Sequence, residues 1–341
     1  MVYKTGFAGF YFHVSALYGS QDPRLRIVGI ADRVYPPDHL FYNPDNNPEK
    51  AAADKGVKLY DNATAMLDAE QPDIVGVFAV DAAKTDIIVE ALRRNKHVIA
   101  DKPLCTSMEQ HERIVVALSA SRGSLAMILP VPYMAIIAKL REIIQAGDLG
   151  ELLMVRSRRA YIQKVSRRPR WFFTKQYGGG ILCDVGTHDV DLVRYLTGAD
   201  VKEVTAYAGN GKIRQFETGE DYSAALFRLS NGVLYILQLD RIAPSTAKGD
   251  QCSLEVFGAK GQAVIPTGYQ QLIVTREGQS EPAVFDGFKD ASTPTLMKSY
   301  LDSLDSGRRD LSCFAPQVFN GVRAVLCAQK SADRGGVKVM I

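Results

Sequence analysis

The first part of the chain alternates short apolar runs with amphipathic ones. Runs rich in β-branched residues predict buried strands, whereas apolar residues spaced three and four apart predict a helix. The clearest helix is Thr85–Arg94, where Ile87, Ile88, Ala91 and Leu92 share one face. Further elements are strands at Val2–Ala8, Leu25–Ala31, Ile74–Val80 and Val98–Ala100, and helices at His13–Tyr18 and Ser107–Ala120. Strands separated by helices indicate parallel pairing in a doubly wound sheet.

The second half has the pattern of antiparallel strands. Asn231-Gly232 stands between two apolar runs, and this dipeptide suits the tight turn of a hairpin. The predicted strands are Ala224–Leu229, Val233–Leu239, Leu254–Phe257 and Ala263–Ile265, and the predicted helices are Ala135–Ala146, Leu296–Leu304 and Gln317–Ser331. Within the first part, Asp32–Lys50 contains Pro36-Pro37, Asn43-Pro44 and Asn47-Pro48 and is predicted as a surface loop.

These patterns predict an α/β protein of two domains. Residues 1–125 form a dinucleotide-binding Rossmann domain with a parallel sheet. Residues 126–341 form an α+β domain for substrate binding and oligomerisation, with a large, mainly antiparallel open sheet. We expect the C-terminal helix, about 316–332, to pack back on the first domain. An open sheet favours self-association through its exposed face, so we expect a homo-dimer or homo-tetramer.

Composition narrows the class of protein. With 46% hydrophobic and 23% charged residues, the 341-residue chain resembles a soluble globular protein. No apolar run approaches the ~18 residues of a membrane helix, and the N-terminus does not resemble a signal peptide. Five scattered cysteines without a C-x-x-C pair predict a reducing compartment, with neither disulfides nor zinc. We therefore expect a cytoplasmic protein with no membrane partner, and a net charge of +3 argues against a nucleic-acid partner.

One stretch is locally basic. Between Arg156 and Arg170 there are seven basic residues and no acidic one. A solvated strand-and-loop surface is the ordinary interpretation of such a run. The alternative is a contact with an anionic substrate or a cofactor phosphate. The basic residues are Arg156, Arg158, Arg159, Lys164, Arg167, Arg168 and Arg170.

The segment Gly178–Asp191 carries the clearest candidate chemistry. Its three leading glycines allow a close approach to a ligand, and a helix is predicted after them. Asp184 and His188 are four residues apart, so both side chains lie on one helix face. A carboxylate against an imidazole orients the ring and raises its basicity, which suits proton transfer. A capped helix with a structural histidine has the same pattern.

A nucleotide site is predicted at the first strand-to-helix turn, where phosphates meet a helix N-terminus. The turn Gly6–His13 is not a clean G-x-G-x-x-G, and Gly9 is the better first glycine because it ends a full-length strand. Asp32 follows 23 residues later, at the end of the second strand, where a carboxylate binds the ribose and repels a 2′-phosphate. Arg33 could instead pair with such a phosphate. NAD is weakly favoured over NADP.

Several motifs together resemble the Gfo/Idh/MocA family of glucose–fructose oxidoreductase, inositol dehydrogenase and rhizopine-catabolism proteins. The opening strand–turn–helix, Asp101-Lys102-Pro103 and Gly178–Asp191 carry this resemblance. Asn95-Lys96-His97-Val98 resembles the family's A-G-K-H-V stretch. Lesser matches occur at Ala146–Glu151, Leu196–Gly198, Gly258–Gly261 and Ala328–Ser331, so the likeness covers nearly the whole chain.

The resemblance implies an NAD(P)-dependent dehydrogenase or reductase acting on CH–OH groups of sugars, polyols or related small molecules, anionic ones included. It implies that Lys102, Asp184 and His188 are catalytic. His188 would exchange the hydroxyl proton, Asp184 would orient His188, and Lys102 would hydrogen-bond the reacting oxygen. The predicted cofactor contacts are Ala8, Gly9, Phe10, Tyr11, Asp32, Arg33, Val80 and Lys102.

The chain departs from the family pattern in its cofactor half. Asp101 replaces the usual glutamate of E-K-P, and Val80–Thr85 lacks the proline and histidine of T-P-x-x-x-H. Two other functions therefore stay open: an NAD-using glycosidase or epimerase, and a non-catalytic sensor on the same scaffold. A metal site at Asp184, His188 and Asp191 is compatible with the spacing, but we predict no metal.

Overall fold

The computed structural model describes residues 1–9, 15–162, 165–216, 218–243 and 251–341, with Ser15 and Ala16 described by their backbone alone. The predictions for Phe10, Tyr11, His13 and Lys164 therefore lie outside the described residues. By packing, the chain divides into a first unit (1–129, 164–179 and 293–322) and a second unit (130–163, 180–292 and 323–341). Neither unit is one contiguous segment, whereas the sequence suggested a single division at residue 125.

The elements up to residue 129 alternate strand and helix as predicted. They are β1 (Tyr3–Ala8), α1 (Ser15–Tyr18), β2 (Leu25–Ala31), α2 (Pro48–Lys55), β3 (Lys58–Tyr60), α3 (Ala63–Glu70), β4 (Ile74–Val77), α4 (Lys84–Arg93), β5 (His97–Ala100), α5 (Met108–Ser119) and β6 (Ser124–Met127). The sequence did not indicate β3, α3 or β6. The predicted loop after Asp32 ends earlier than expected, because Asn47 caps α2 by accepting a bond from the Lys50 amide at 2.9 Å.

The six strands form one parallel sheet in the order β3-β2-β1-β4-β5-β6. All residues of β4 and β6 are buried, as expected for a sheet covered on both faces. The chain starts at the centre and winds first to one edge and then to the other, so the order reverses between β1 and β4. At such a point the turns beyond the carboxyl ends diverge and leave a crevice. The predicted doubly wound sheet is confirmed.

The remaining elements build mainly a second sheet. They are α6 (Ala135–Gln145), β7 (Leu152–Ala160), α7 (Lys175–Gly178), α8 (Ile181–Asp184), α9 (Gly186–Thr197), β8 (Val201–Gly209), β9 (Tyr222–Leu229), β10 (Leu234–Asp240), β11 (Ser253–Gly258), β12 (Gly261–Ile265), β13 (Leu272–Arg276), β14 (Ala283–Phe285), α10 (Ser292–Ser306), α11 (Phe319–Asp333) and β15 (Val339–Met340). Packing of α11 on the first domain stays a prediction.

Within the described residues this sheet has nine strands in the order β14-β13-β12-β11-β7-β10-β9-β8-β15. Strands β7 and β10 pair in parallel, and the other pairs between these nine strands are antiparallel. Residues of β9 alternate between exposed and buried along the strand. The buried set, including Phe227, joins side chains such as Leu182 and Val190 in one apolar core. The opposite face exposes Tyr222, Leu226 and Ile236. The predicted mainly antiparallel sheet is confirmed.

All five cysteines are free and buried. Among the described residues, none of the helices combines the length and apolarity that crossing a membrane would take.

Gly9 directly follows β1 and has a backbone conformation that other residues adopt only with strain. Its φ is +80°, and its amide donates to the Ala31 carbonyl at 2.7 Å. A Cβ atom here would lie 2.5 Å from the backbone nitrogen of Ala79, far inside van der Waals contact. Because that neighbour is backbone of the turn after β4, it cannot move aside cheaply.

We expect Gly9→Ala to lower the free energy of unfolding of the first unit by at least about 2 kcal/mol, from backbone strain plus the clash. Gly56→Ala is the matched control in the same unit, because Gly56 also has a positive φ of +63° but nothing within 4 Å of the added Cβ. That control should cost about 1 kcal/mol. Urea unfolding of both variants measures the difference, and equal losses would contradict the steric argument.

Candidate functional site

A cavity of about 490 Å³ opens in the first unit, at the reversal of strand order. Its walls come from the turns that follow β1, β2 and β4. Of the predicted cofactor residues, the lining includes Ala8, Gly9, Asp32, Arg33 and Val80. Lys102, also predicted to touch the cofactor, is not part of this lining. The volume lies within the usual range for small-molecule and cofactor sites.

Asp32 stands at the wall of this cavity with its carboxylate held in place. One oxygen accepts a hydrogen bond from the Arg33 amide at 2.7 Å, and the other accepts from the Asn46 side chain at 3.0 Å. The Arg33 side chain bonds elsewhere, since its Nε donates to the Asp61 carbonyl at 3.2 Å. The cavity wall thus presents a carboxylate held in a fixed position, with the Arg33 side chain held through its Nε. Asn46 was missed because loop residues carry no periodic signal.

Aromatic side chains form another part of the wall. Tyr35, Phe41 and Tyr177 line the cavity, and the rings of Phe41 and Tyr177 meet edge to face at 5.2 Å between centroids. Tyr35 also stacks on His39, with centroids 4.5 Å apart. Flat apolar surfaces of this kind suit a heterocyclic base. Nothing in the sequence predicts that Tyr177 lies near Tyr35 and Phe41, because it is more than 100 residues from both.

In the glycine run before α8, protein side chains fill the space beside Gly180. Gly180 has a φ of +89°, and a Cβ there would lie 2.4 Å from Gln329 Oε1 and 2.7 Å from Glu220 Oε2. Glu220 accepts a bond from the Ile181 amide at 3.1 Å and so caps the start of α8. Gln329 donates to the same carboxylate at 3.0 Å. The expectation that this glycine makes room for a ligand is therefore wrong for Gly180, since protein side chains fill the space.

Asp184 and His188 do not share one uninterrupted helix. Asp184 is the last residue of α8, Val185 separates the helices, and His188 lies in the first turn of α9. Both side chains are buried, His188 at 9% exposure. The Asp184 carboxylate forms a short ion pair with Arg241, which is also buried and follows β10. Arg241 was not predicted as a site residue. The only indication in the sequence is its position just after the second strand of the predicted hairpin.

Three arginines of the basic stretch pair with acids inside the second unit. Arg159 is buried at 5% exposure and forms a short ion pair with Asp189, the residue after His188. Arg158 pairs with Asp240 at 3.0 Å, and Arg156 pairs with an acid of β11, Glu255. The description as a purely solvated surface is therefore wrong for Arg159. Because these arginines already have acidic partners, they offer little free charge to an anion.

Asp191 is buried one turn after His188. Its nearest cation is Arg194, whose Nη1 lies 4.0 Å from Asp191 Oδ1. Burial raises the pKa of the Asp191 carboxyl from 3.8 to about 7, although Arg194 opposes the shift. Among the described residues, no group of three His, Cys, Asp or Glu side chains is placed to hold a metal ion.

The predicted catalytic residues fall in different units. Asp184 and His188 belong to the second unit, in the segment joining α8 and α9. Lys102 belongs to the first unit, in the turn after β5, where its amide donates to Asp101 Oδ1 at 2.8 Å.

Comparisons with known proteins cover both units. Residues 5–128 match the model of an oxidoreductase family with an NAD-binding Rossmann fold. Residues 137–264 match the GFO/IDH/MocA C-terminal domain. The two models together take in most of the chain.

Curated relatives are similar over part of their length. The chain is 27% identical over 224 residues to the scyllo-inositol 2-dehydrogenase (NAD(+)) of Bacillus subtilis, which is 62% of this chain and 61% of that protein. It is 23% identical over 228 residues to the myo-inositol 2-dehydrogenase of Thermotoga maritima, 66% of this chain and 65% of that protein. The chain thus spans less than two thirds of either relative.

Among solved structures, the chain resembles an oxidoreductase from Agrobacterium radiobacter in complex with NAD+, L-tartaric acid and magnesium. The TM-score is 0.83 at 20% identity, covering 100% of this chain and 98% of that one. At this identity the likeness establishes the fold.

Burial of Asp191 predicts a pH-dependent stability. Its folded pKa of about 7 lies above the unfolded value of 3.8, so the folded state holds the proton more tightly. The stabilisation is complete below about pH 4 and is lost as the pH rises through 7. Relative to Asp191→Asn, we expect the wild-type free energy of unfolding to fall by up to roughly 4 kcal/mol across this interval. Denaturant titrations of both proteins from pH 4 to 8 measure it, and parallel pH profiles would contradict the assignment.

Proposed function

Because this chain belongs to the Gfo/Idh/MocA family, we propose that it is an NAD-dependent oxidoreductase. It moves a hydride between the nicotinamide and a CH–OH carbon of a sugar, polyol or related small molecule. The observation that carries the proposal is the cavity at the strand-order reversal, with the fixed Asp32 carboxylate on its wall, in the segment that matches an NAD-binding model.

The cavity fits the adenosine part of NAD. Asp32 is available to accept hydrogen bonds from the ribose hydroxyls, and its negative charge would repel the 2′-phosphate of NADP. The rings of Tyr35, Phe41 and Tyr177 offer apolar surface for the adenine. Arg33 uses its Nε donor on the Asp61 carbonyl, so the preference for NAD rests on the Asp32 carboxylate. These contacts support NAD over NADP.

When bound, the nicotinamide supplies the hydride acceptor or donor, and this chain supplies the proton transfer and the positioning. His188 takes the proton of the reacting hydroxyl during oxidation and returns it during reduction. Lys102 donates a hydrogen bond to the reacting oxygen and offsets its negative charge. This assignment follows the motif match at Asp101-Lys102-Pro103 and Gly178–Asp191.

The Asp184–Arg241 pair refines the role of the carboxylate. The buried ion pair with Arg241 holds the Asp184 carboxylate in one orientation, because either partner alone would be an uncompensated buried charge. We assign Asp184 the orientation of the α8–α9 junction, where His188 lies, rather than direct proton exchange. Arg241 is the residue that fixes it.

The charge pattern favours an uncharged substrate. Arg156, Arg158 and Arg159 already pair with acids, so these three arginines offer little free charge to a carboxylate or phosphate. The relatives named above are inositol dehydrogenases, and inositols are neutral polyols. A neutral polyol or sugar is therefore the proposed substrate class. Self-association through the exposed sheet face and a cytoplasmic location stay predictions.

We expect His188→Ala to lower turnover about 10²–10⁴-fold with little change in NAD affinity, because the proton acceptor is lost and the cofactor cavity is not touched. Turnover is measured as NADH formed from NAD+ and a panel of inositols, aldoses and polyols. A glycosidase or epimerase would convert substrate without NADH accumulating.

The matched control is Thr187→Val, which removes the hydrogen bond from Thr187 Oγ1 to the Cys183 carbonyl in the same turn but no proton acceptor. It should keep most of the turnover. If His188→Ala and Thr187→Val lose turnover equally, or if His188→Ala also loses NAD binding, His188 has a structural role.

We expect Asp32→Ala to raise the ratio of NADP+ to NAD+ affinity about tenfold or more, because removing the carboxylate abolishes repulsion of the 2′-phosphate. Calorimetric titration with all four nicotinamide dinucleotides measures this ratio. Asp38→Ala is the control: it removes the same charge from an exposed position of the same loop, outside the cavity lining. An unchanged ratio in Asp32→Ala, or the same rise in the control, would remove the ribose role from Asp32.

A further inference from the structure

Lys84 is a fully buried lysine in the first unit. It begins α4 and is 1% exposed. Its ammonium lies 2.7 Å from Asp81 Oδ1, in the 3₁₀ turn just before the helix. It also donates to three consecutive backbone carbonyls: those of Asp101 at 3.2 Å, Lys102 at 3.1 Å and Pro103 at 3.2 Å. A buried charge therefore has one carboxylate and three carbonyls around it.

Such an arrangement fixes the backbone that it binds. An ammonium has three N–H donors, which these four acceptors share, and it loses its hydration on burial; the acceptors must therefore stay in place to compensate the charge. Three successive carbonyls converging on one nitrogen restrict the rotation of the intervening peptide planes. The Asp81 carboxylate balances the charge, which a lone buried lysine could not sustain.

A second contact joins the same two turns. Gln110 donates from Nε2 to the Ala82 carbonyl at 3.0 Å, while its Oε1 accepts from the Thr106 amide at 2.8 Å. The turn after β4 is thus tied to the turn after β5 at two places. The first of these turns lines the cofactor cavity through Val80, Ala82 and Ala83.

We propose that Lys84, with Asp81, is a positioning residue that fixes the backbone of Lys102 relative to the cofactor cavity. The catalytic importance of placing Lys102 rests on the proposed function. The restraint of the 101–103 backbone by Lys84 does not depend on that function. It also accounts for two polar residues in Val80–Thr85, the stretch in which this chain departs from the family pattern. Lys84 touches no substrate; it acts through the Asp101–Pro103 backbone.

The direct test is hydrogen–deuterium exchange, which needs no substrate. In Lys84→Met we expect amide exchange in the segment 101–106 to rise about tenfold, because the carbonyl contacts that hold the turn are lost. Arg24→Met is the control: Arg24 forms ion pairs with Asp22, Asp302 and Asp305 in the same unit, away from this turn. It should lower the melting temperature without raising exchange at 101–106.

Where Lys84→Met does not fold, the double variant Asp81→Asn/Lys84→Met replaces it, because that pair leaves no unbalanced buried charge. The same rise in exchange is expected from the double variant. Unchanged exchange at 101–106 in whichever variant folds, or an equal rise in Arg24→Met, overturns the proposal.

A kinetic double-mutant cycle tests whether Lys84 acts through Lys102. With NAD+ and a polyol that the wild type oxidises, Lys84→Met should lower kcat about 10- to 100-fold with KM nearly unchanged, because a small misplacement of Lys102 costs that much. In a Lys102→Ala background the same change should have little further effect. Losses that multiply fully in the double variant would overturn the positioning role. An absence of turnover in the wild type would defeat the proposed function, and the exchange result would still decide the restraint.

Discussion

Parallel pairing of the central strands is the constraint on which the candidate cofactor site depends. β1 pairs with β2 on one side and β4 on the other, so all three carboxyl ends reach the same edge of the sheet. The turns at that edge diverge because the chain winds away in opposite directions. Gly9, Asp32 and Val80 are far apart in sequence and line one cavity for this reason. A side chain at Gly9 would collide with the Ala79 backbone, which lines the same cavity.

Both units contain buried ion pairs in which each charge compensates the other. Lys84 pairs with Asp81 in the first unit, and in the second Arg159 pairs with Asp189 and Arg241 with Asp184. Each pair lies beside a residue assigned a chemical role: one next to the Lys102 turn and two next to His188. A buried pair of opposite charges adds little net stability, but it holds side chains in one geometry because either partner alone would be an uncompensated charge. Buried ion pairs, in addition to apolar packing, thus hold the segments that carry the candidate catalytic residues.

The architecture was predictable from local pattern. β-branched runs such as Leu25–Ala31 matched a strand residue for residue, and the Asn231-Gly232 turn joined β9 to β10 as expected. Short elements were not predictable: β3 has three residues, and its position is decided by pairing with β2 rather than by propensity. The uninterrupted helix expected over Asp184 and His188 proved to be two helices meeting at Val185.

The sequence by itself determined the alternation of strands and helices, the family motifs and the residue types available for catalysis, because these depend on spacing along the chain. Only the tertiary structure decided what each charged residue faces. The basic run at 156–170 could have been a solvated surface or an anion site, and its strand arginines proved to pair with acids up to 99 residues away. Nothing in the sequence indicates that Lys84 is buried and binds three backbone carbonyls. A buried charge is costly unless an opposite charge or a hydrogen-bond partner compensates it. The fold decides which groups lie close enough to do so.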